Sequence, residues 1–278
     1  MEFSETLRAT RASLEAEVPD LVVLDPLVTT AGVELEELRT ALAASPFTPV
    51  LVVSDPEDPA PALAAAAALG RTVQGLLRRD APAEEVRWQV ARILQEGARA
   101  RELSDLRYRA SHDDLTDLLR PLYFQARLQE HVSASQRHGL QLALVLIDLD
   151  RFGQVNKSFD HTVGDRVLAF VAHAIRENLR SEDVAGRIGG DEFAIVLPYT
   201  GPLQAASTVR RLGQMIAALS GPVEGSPLEL EVSASLGFET TEAGSVDSVE
   251  TLRAHAEVAL RRAKQAGGNQ GVYFRSGR

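Results

Sequence analysis

Two adjacent carboxylates, Asp191 and Glu192, directly follow two glycines, Gly189 and Gly190. Carboxylates this close repel one another unless a cation or a hydrogen-bond donor lies beside them. Glycine has no side chain, so a ligand can approach the backbone closely at these positions. Asp and Gly are also ordinary turn residues, and a solvated hairpin turn is the alternative for this tetrapeptide taken alone.

A second acidic group follows the continuous apolar run at 142–147, where Asp148 and Asp150 flank Leu149. A buried strand that ends in carboxylates suits a hard cation, because Mg²⁺ prefers one or two carboxylates together with substrate phosphates. Asp150 can alternatively act as a cap or turn residue. The two acidic groups therefore predict a metal site if the fold brings them together.

Apolar periodicity predicts the elements that position these residues. Strands at 184–188 and 193–198 predict a β-hairpin with the glycine–acid segment as its turn. The same patterns predict a strand at 142–147, a strand pair at 228–237 and helices at 165–179, 203–219 and 249–266.

The N-terminal part alternates short apolar strands with helices. Strands are predicted at 21–24, 49–53 and 73–77, and helices at 3–17, 33–44, 60–69 and 82–94. Strands that are apolar on both faces and alternate with helices predict a parallel sheet covered on both sides.

An apolar seam runs along the segment 82–111. Its members alternate steps of four and three, which is a heptad-like period, and the seam then changes phase. It comprises Val86, Val90, Ile93, Gly97 and Ala100, then Leu103, Leu106 and Ala110. Two interpretations stay open: one amphipathic helix packed on its own domain, or a parallel two-helix stalk that joins two copies of the chain.

Length and composition limit the class of protein. The 278 residues suggest about two domains, and a net charge of −10 argues against a broad nucleic-acid-binding face. The chain has no cysteine, its N-terminus does not resemble a signal peptide, and no apolar run approaches the ~18 residues of a membrane span. We expect a cytoplasmic protein that binds neither nucleic acid nor a membrane.

Several motifs in order resemble the GGDEF family of diguanylate cyclases. The resemblance covers about 112–278 and implies an α+β fold with a palm-like, mostly antiparallel sheet. The motifs are Asp113-x-Leu115-Thr116, Asp148 to Phe152, Asn156 with His161, Gly164 and Asp165, Gly189 to Phe193, and Ala263-Lys264. The chain departs from the family at Asp117, Arg120 and Pro121, and it has Gly153 and Gly268 where the family has a lysine and an arginine.

The resemblance implies a role for each site residue. Asp148, the carbonyl of Leu149 and Asp191 would hold two Mg²⁺ or Mn²⁺ ions per active site, and Glu192 would support the metals or the attacking hydroxyl. Asn156 and Asp165 would read guanine, since an amide and a carboxylate complement its edge; their alternative is helix capping. Leu115 and Phe152 would line the base pocket, and Gly189, Gly190 and Lys264 would contact the substrate.

Arg180 and Asp183 have the Arg-x-x-Asp spacing that many members of this family use as an inhibitory site for their own product. Arginine can hold a phosphate and stack on a purine. Arg211 would reach the same nucleotide. The alternative is a surface ion pair, which contributes only about 0–1 kcal/mol.

The N-terminal segments 19–25 and 49–54 resemble a response-regulator receiver domain. Asp25 stands where that family has its phosphate-accepting aspartate, Ser54 at the switch hydroxyl and Arg79 near the family lysine. The acidic pair of the family's first strand has no counterpart here, so a degenerate receiver-like domain with an incomplete doubly wound parallel sheet is expected. We interpret Asp25 as a strand-end residue, and the domain as a dimerisation surface.

These observations predict a receiver-like domain at 1–95, a helical connector at 96–111 and a GGDEF domain at 112–278. The expected activity is condensation of two GTP molecules to cyclic di-GMP and two pyrophosphates by a homodimer, with feedback inhibition by the product. The alternative is a weak or inactive GGDEF domain that acts as a cyclic di-GMP or GTP receptor or as a dimerisation module.

Overall fold

The computed structural model describes residues 19–27, 32–43, 47–222, 228–241 and 248–275. The chain divides into two compact units, Met1–Arg107 and Tyr108–Arg278. The helix predicted at 3–17 lies outside the described residues. Among the residues that are described, no helix combines the length and the apolar character needed to cross a bilayer.

The first unit contains the parallel sheet that its apolar strands predicted. Strands β1 (Val22–Leu24), β2 (Val50–Ser54) and β3 (Val73–Arg78) pair in that order, and both pairings are parallel. Helices α1 (Gly32–Ala43) and α2 (Ala60–Leu69) contribute apolar side chains to a core shared with β1 and β2. The residues of that core include Leu38, Leu42, Ala62, Ala65 and Leu69.

Helix α3 (Ala83–Ser111) is continuous over the segment that carries the apolar seam. Ile93 is fully buried against Leu51 and Leu77, and Val86 and Val90 pack against the same cluster. The first part of the apolar seam therefore covers the sheet of its own unit. The later part differs, since Leu103 and Leu106 are each 55% exposed.

The second unit is built on a mixed five-stranded sheet with the order β10-β9-β4-β6-β5. The strands are β4 (Leu142–Leu149), β5 (Val184–Arg187), β6 (Glu192–Pro198), β9 (Ala234–Thr241) and β10 (Gln270–Tyr273). Three pairings are antiparallel, whereas β10 runs parallel to β9. A parallel pair needs a crossover connection, and helix α8 (Val249–Gln265) supplies it. A separate short pair joins β7 (Gly221–Pro222) to β8 (Glu229–Leu230).

Helices cover both faces of this sheet. Helices α5 (Phe152–Ser158), α6 (His161–Glu177) and α7 (Pro202–Ala217) share one core, which includes Ala143, Val145 and Ile147 of β4. Helices α4 (Pro121–His138) and α8 share the other core, which includes Leu142, Leu144 and Leu146. Because side chains alternate along a strand, Asp148 belongs to the face that α8 covers.

Candidate active site

The sheet brings the two acidic groups together at one end. Strands β4 and β6 pair with Asp148 opposite Glu192. One residue further on, the backbone N–H of Leu149 donates to the carbonyl oxygen of Asp191 at 3.2 Å. The hairpin turn predicted from the glycine–acid segment is present between β5 and β6. Asp148, Leu149 and Asp191 are therefore neighbours, although Leu149 and Asp191 lie 42 positions apart in the chain (191 minus 149).

Asp148 is a buried carboxylate with a cation beside it. It is 8% exposed, and its Oδ2 lies 2.6 Å from the Nζ of Lys264 on α8. Burial raises the pKa of Asp148, and the negative charges of Asp191 and Asp150 act in the same direction. The hydrogen bond and the charge of Lys264 oppose that shift. Lys264 therefore offsets only part of the cost of ionising Asp148.

The donor set fits a metal ion that substrate phosphates complete. Within the described ranges, no group of three or more His, Cys, Asp or Glu side chains is arranged to hold a metal ion alone. Asp148, Asp191 and the Leu149 carbonyl are oxygen donors, which Mg²⁺ and Mn²⁺ accept. The raised pKa of Asp148 indicates a carboxylate that gains from an added cation.

The position of the Glu192 carboxylate explains why Gly189, the first of the two glycines before the acidic pair, has no side chain. A Cβ on Gly189 would lie 2.6 Å from Oε2 of Glu192, so a larger residue there would displace this carboxylate. Gly190 has open space around its Cα, and its carbonyl oxygen accepts two hydrogen bonds from Arg187, from Nε at 3.1 Å and from Nη2 at 2.8 Å. These two hydrogen bonds from Arg187, at the end of β5, therefore fix the conformation of the turn.

Arg187 also connects the turn to the first motif of the unit. Its Nη1 lies 3.1 Å from Oδ1 of Asp113, which in turn accepts hydrogen bonds from the amide and hydroxyl of Thr116. Burial alone would raise the pKa of Asp113, but the bonds from Thr116 and Arg187 outweigh it and hold that pKa below its ordinary value. Sequence reasoning did not identify Arg187, because nothing local to it indicates a partner 74 residues away.

Asp150 has a larger role than the cap or turn residue considered from sequence. Its two oxygens accept from the hydroxyls of Ser233 and Ser235 at 2.8 and 2.7 Å, and Oδ2 accepts from the backbone N–H of Asn269 at 2.8 Å. These bonds connect β4, β9 and the turn that follows α8. Since Lys264 lies in the last turn of α8, Asp150 fixes the helix end that carries this lysine.

The predicted guanine-reading residues lie at the junction of α5 and α6. A Cβ on Gly164 would lie 1.9 Å from Oδ1 of Asn156 and 3.2 Å from the ring of Phe152, so only glycine permits this packing. The capping alternative is wrong for both residues. Asn156 lies inside α5, whose caps are Arg151 and Phe159, and the N-cap of α6 is Asp160, which accepts from the amide of Val163. Asp165 is exposed in the first turns of α6.

Leu115 lies in the loop that Asp113 and Thr116 organise, and its side chain is 36% exposed. The carbonyl oxygen of Thr116 accepts a hydrogen bond from Arg176 of α6. The loop that carries Leu115 is therefore attached to the helix that carries Asp165.

Arg180 and Asp183 line a cavity of about 670 Å³ in the second unit. The backbone N–H of Arg180 donates to Oδ2 of Asp183 at 2.8 Å. Burial raises the pKa of Asp183, while the hydrogen bond from Arg180 and its charge act against the shift. Arg211 is not among the residues that line this cavity; its Nη2 donates to the carbonyl of Asn178 at 3.1 Å.

Solved structures resemble this chain. The coiled coil and GGDEF domain of DgcB from Caulobacter crescentus, in complex with c-di-GMP, is 25% identical with a TM-score of 0.62, and the match covers 68% of this chain and 98% of that one. Diguanylate cyclase SiaD from Pseudomonas aeruginosa, in complex with its activator SiaC, is 32% identical with a TM-score of 0.56, and the match covers 68% of this chain and 71% of that one.

Curated relatives agree with these structures. Diguanylate cyclase DgcP of Pseudomonas aeruginosa is 37% identical over 166 residues, and diguanylate cyclase TpbB of the same species is 33% identical over 182 residues. The matches cover 59% and 64% of this chain but only 24% and 39% of those relatives. A family model described as "Diguanylate cyclase, GGDEF domain" matches residues 110–270, and this chain belongs to that family.

Proposed function

We propose that this protein condenses two GTP molecules to cyclic di-GMP and two pyrophosphates. The observation that carries the proposal is the meeting of Asp148, Asp191 and Lys264 at one end of the sheet. Two carboxylates next to a partly exposed ammonium group suit a nucleoside triphosphate and its divalent cations. The diguanylate cyclases among the relatives support the same reaction.

In each half of the reaction the 3′-hydroxyl oxygen of one GTP bonds to the α-phosphorus of the other. The bond between the α-phosphorus and the bridging oxygen breaks, pyrophosphate leaves, and the hydroxyl proton passes to a base at the site or to water. A bound Mg²⁺ or Mn²⁺ supplies Lewis-acid stabilisation of the phosphate oxygens and activation of the hydroxyl. Asp148, Asp191 and the Leu149 carbonyl would hold it, Lys264 would bind phosphate, and Glu192 would stand beside the hydroxyl.

Asn156 and Asp165 would read the guanine edge, with Phe152 and Leu115 against the base. The packing of Asn156 and Phe152 on Gly164 supports this assignment, because it fixes the amide next to the helix that carries Asp165. Gly189 and Gly190 would let the phosphates approach the turn.

The reaction needs a homodimer, because each chain contributes one GTP and the two sites must face each other. The exposed Leu103 and Leu106 on α3 support a contact between two copies. The DgcB structure, which comprises a coiled coil and a GGDEF domain, supports a helical connector. We place the domain bounds at 1–95, 96–111 and 112–278, with the first domain contributing to the dimer.

The first domain is proposed to be a degenerate receiver-like domain. Its parallel sheet and the position of Asp25 after β1 support this. Nη2 of Arg79 lies 2.6 Å from Oδ1 of Asp25, and Nε lies 3.7 Å from Oδ2 of Asp55. A guanidinium therefore occupies the place beside Asp25 where phosphoryl transfer needs a metal ion, which favours a structural role for Asp25.

The cavity at Arg180 and Asp183 would bind the product and inhibit the enzyme. The cavity lies next to β5, the strand that leads into the acidic turn. This position supports an effect of the bound product on the hairpin. Removal of Arg180 should then increase the yield of cyclic di-GMP at high GTP. Arg211 would reach this nucleotide from α7 after leaving the carbonyl of Asn178.

The decisive experiment incubates the purified protein with GTP and Mg²⁺ across a range of protein concentrations and measures cyclic di-GMP. Asp148→Asn and Asp191→Asn should each abolish product, whereas Asp80→Asn, an exposed carboxylate of the first unit paired with Arg78, should not. Absence of product at every concentration would overturn the proposal. Full activity of either site variant would overturn the metal assignment.

A receptor without turnover is the second candidate, and the 670 Å³ cavity favours it. In that case the protein binds cyclic di-GMP through Arg180 and Asp183 but forms none, and Gly153 and Gly268 reflect lost phosphate contacts. Calorimetry combined with the turnover assay separates the two functions. Arg180→Ala raises product yield in an enzyme, and in a receptor it only removes binding.

A further inference from the structure

The cavity beside Arg180 and Asp183 has a wall that belongs to no recognised motif. Arg127 and His131 both line it. They lie four residues apart on α4, so they share one face of that helix. Helix α4 reaches the cavity because Phe124, Leu128 and Val132 pack it against the sheet.

His131 presents a buried nitrogen without a partner. Its Nε2 is inaccessible to solvent and makes no hydrogen bond to any part of the chain that the structure describes. Burial lowers the pKa of His131 and the charge of Arg127 lowers it further, although Glu130 and Asp183 oppose them. The imidazole is therefore uncharged at neutral pH and can hydrogen-bond a ligand without adding charge to the cavity.

Asp183 has a carboxylate oxygen in the same situation as this nitrogen. Its Oδ1 is buried and likewise has no hydrogen-bond partner among the described residues, while Oδ2 is held by the amide of Arg180. Asp183 and His131 influence each other's pKa, so they are neighbours, yet no hydrogen bond joins them. Buried polar atoms are normally hydrogen-bonded, so a ligand that enters this cavity can supply the partners that both atoms lack among the described residues.

The charges around the cavity indicate the class of that ligand. Three arginines line it together with three carboxylates, so it is not uniformly basic: Arg127, Arg176 and Arg180, and Asp117, Glu182 and Asp183. A carboxylate accepts from N–H donors of a purine, and a guanidinium holds a phosphate. Arg176 is already engaged with the carbonyl of Thr116, and it lies 3.8 Å from Asp117. Within the described residues, the ion-pair partner of Arg127 is Glu130, its exposed helical neighbour.

We infer that Arg127 and His131 are ligand-binding residues of the product site, on the cavity wall that α4 forms beside Asp183. On binding, the imidazole of His131 turns so that Nε2 faces the cavity and hydrogen-bonds the purine dinucleotide, and Arg127 supports its phosphodiester group. The inference rests on the proposed function, since the ligand is cyclic di-GMP.

Calorimetry of the full chain with cyclic di-GMP tests the histidine. Phenylalanine keeps an aromatic ring but cannot form this hydrogen bond, so His131→Phe should bind about fivefold more weakly than wild type. His138→Phe is the matched control on the same helix, because His138 is exposed and does not line the cavity, and it should bind like wild type.

The arginine is tested by salt dependence, which a purely structural role would not change. Arg127→Ala should bind roughly tenfold more weakly, and its affinity should depend less on salt because one screened charge contact is lost. Arg137→Ala is the control, since Arg137 is an exposed arginine of α4 outside the cavity. Should His131→Phe fail to fold, the salt dependence of Arg127→Ala decides the question.

The results separate this inference from the proposed function. If Arg180→Ala loses binding while Arg127→Ala and His131→Phe bind like wild type, the inference is overturned and the product site stands. If the wild-type protein forms cyclic di-GMP but does not bind it, both the product site and the inference are overturned while the cyclase activity stands.

Discussion

The Nζ of Lys264 lies 2.6 Å from Oδ2 of Asp148. The lysine comes from the last turn of α8 and the aspartate from the end of β4. The contact therefore joins two motifs that are far apart in the sequence. The Lys264 side chain is 46% exposed, so under the proposed function it is free to move from the carboxylate to a substrate phosphate. The contact thus neutralises one of the carboxylates at this end of the sheet before substrate binds.

Lys264→Met should therefore affect activity more than stability. The free energy of unfolding should fall by about 1 kcal/mol or less, because the lysine is partly solvated. The kcat/KM for GTP should fall roughly 10- to 100-fold, as expected for a lost contact between charged groups. Lys157→Met, at an exposed lysine of α5, should change neither. A large loss of stability with normal kinetics would contradict the assignment.

Asp150→Ala should mainly reduce stability, whereas Asp148→Ala should mainly reduce turnover. Removal of Asp150 leaves the donors of Ser233, Ser235 and Asn269 without their acceptor, so we expect a loss of about 3 kcal/mol in urea unfolding. Activity should fall too, because the end of α8 loosens. Removal of Asp148 should abolish turnover at little cost in stability, since its burial as an anion is unfavourable. An Asp150→Ala protein as stable as wild type would refute the anchoring role.

The pKa of Asp113 predicts a pH-dependent contribution to stability. Because its pKa is lower in the folded chain than the ordinary value of 3.8, the ionised form stabilises the fold. That contribution is complete above the ordinary pKa and is lost as the pH falls through the folded value. Urea unfolding should show Asp113→Asn about 1–2 kcal/mol less stable than wild type at pH 7.

The deficit of Asp113→Asn should shrink as the pH is lowered toward 3, because wild-type Asp113 then becomes protonated and neutral like asparagine. Asp114→Asn provides the control, since Asp114 is 82% exposed in its contact with Arg120. A deficit that is unchanged at acid pH would show that the charge of Asp113 is not what stabilises the loop.

Gly153 offers a gain of function. It lies in α5, and a Cβ added there would have no atom within 4 Å, so a side chain fits. Both Gly153→Ala and Gly153→Lys should stabilise the chain by about 0.5–1 kcal/mol through helix propensity. Only the lysine should also lower the KM for GTP, since it restores a phosphate contact typical of the family. Equal KM values for the two variants would remove Gly153 from the substrate site.

A substitution at Gly268 should not restore a phosphate contact in the same way. Its φ is +77°, and a Cβ there would lie 2.8 Å from the Asp150 carboxylate. The arginine that the family places here would strain the backbone and disturb the anchor of α8 in this chain. The glycines at 153 and 268 are thus physically different: a side chain fits at the first and does not fit at the second.

Much of the second unit was predictable from sequence because the signals are local. The apolar run ending at Asp148 and the glycine–acid turn at 189–192 are set by strand patterning and turn chemistry, and both lie where predicted. In the first unit, the alternation of apolar strands and helices predicted the parallel sheet. The helix boundaries at 161 and 265 differ from the prediction by only a few residues, the first because Asp160 caps α6 early.

Only the tertiary structure decided which distant residues meet. The bonds of Asp150 to Ser233 and Asn269, and of Arg187 to Asp113, depend on strand order and register, which no local pattern encodes. The first part of the α3 seam faces its own sheet because Leu51 and Leu77 leave an apolar surface there to bury. The cavity wall with His131 likewise arises from how α4 packs on the sheet. Sequence determined the chemical groups and their local geometry, and long-range packing determined their partners.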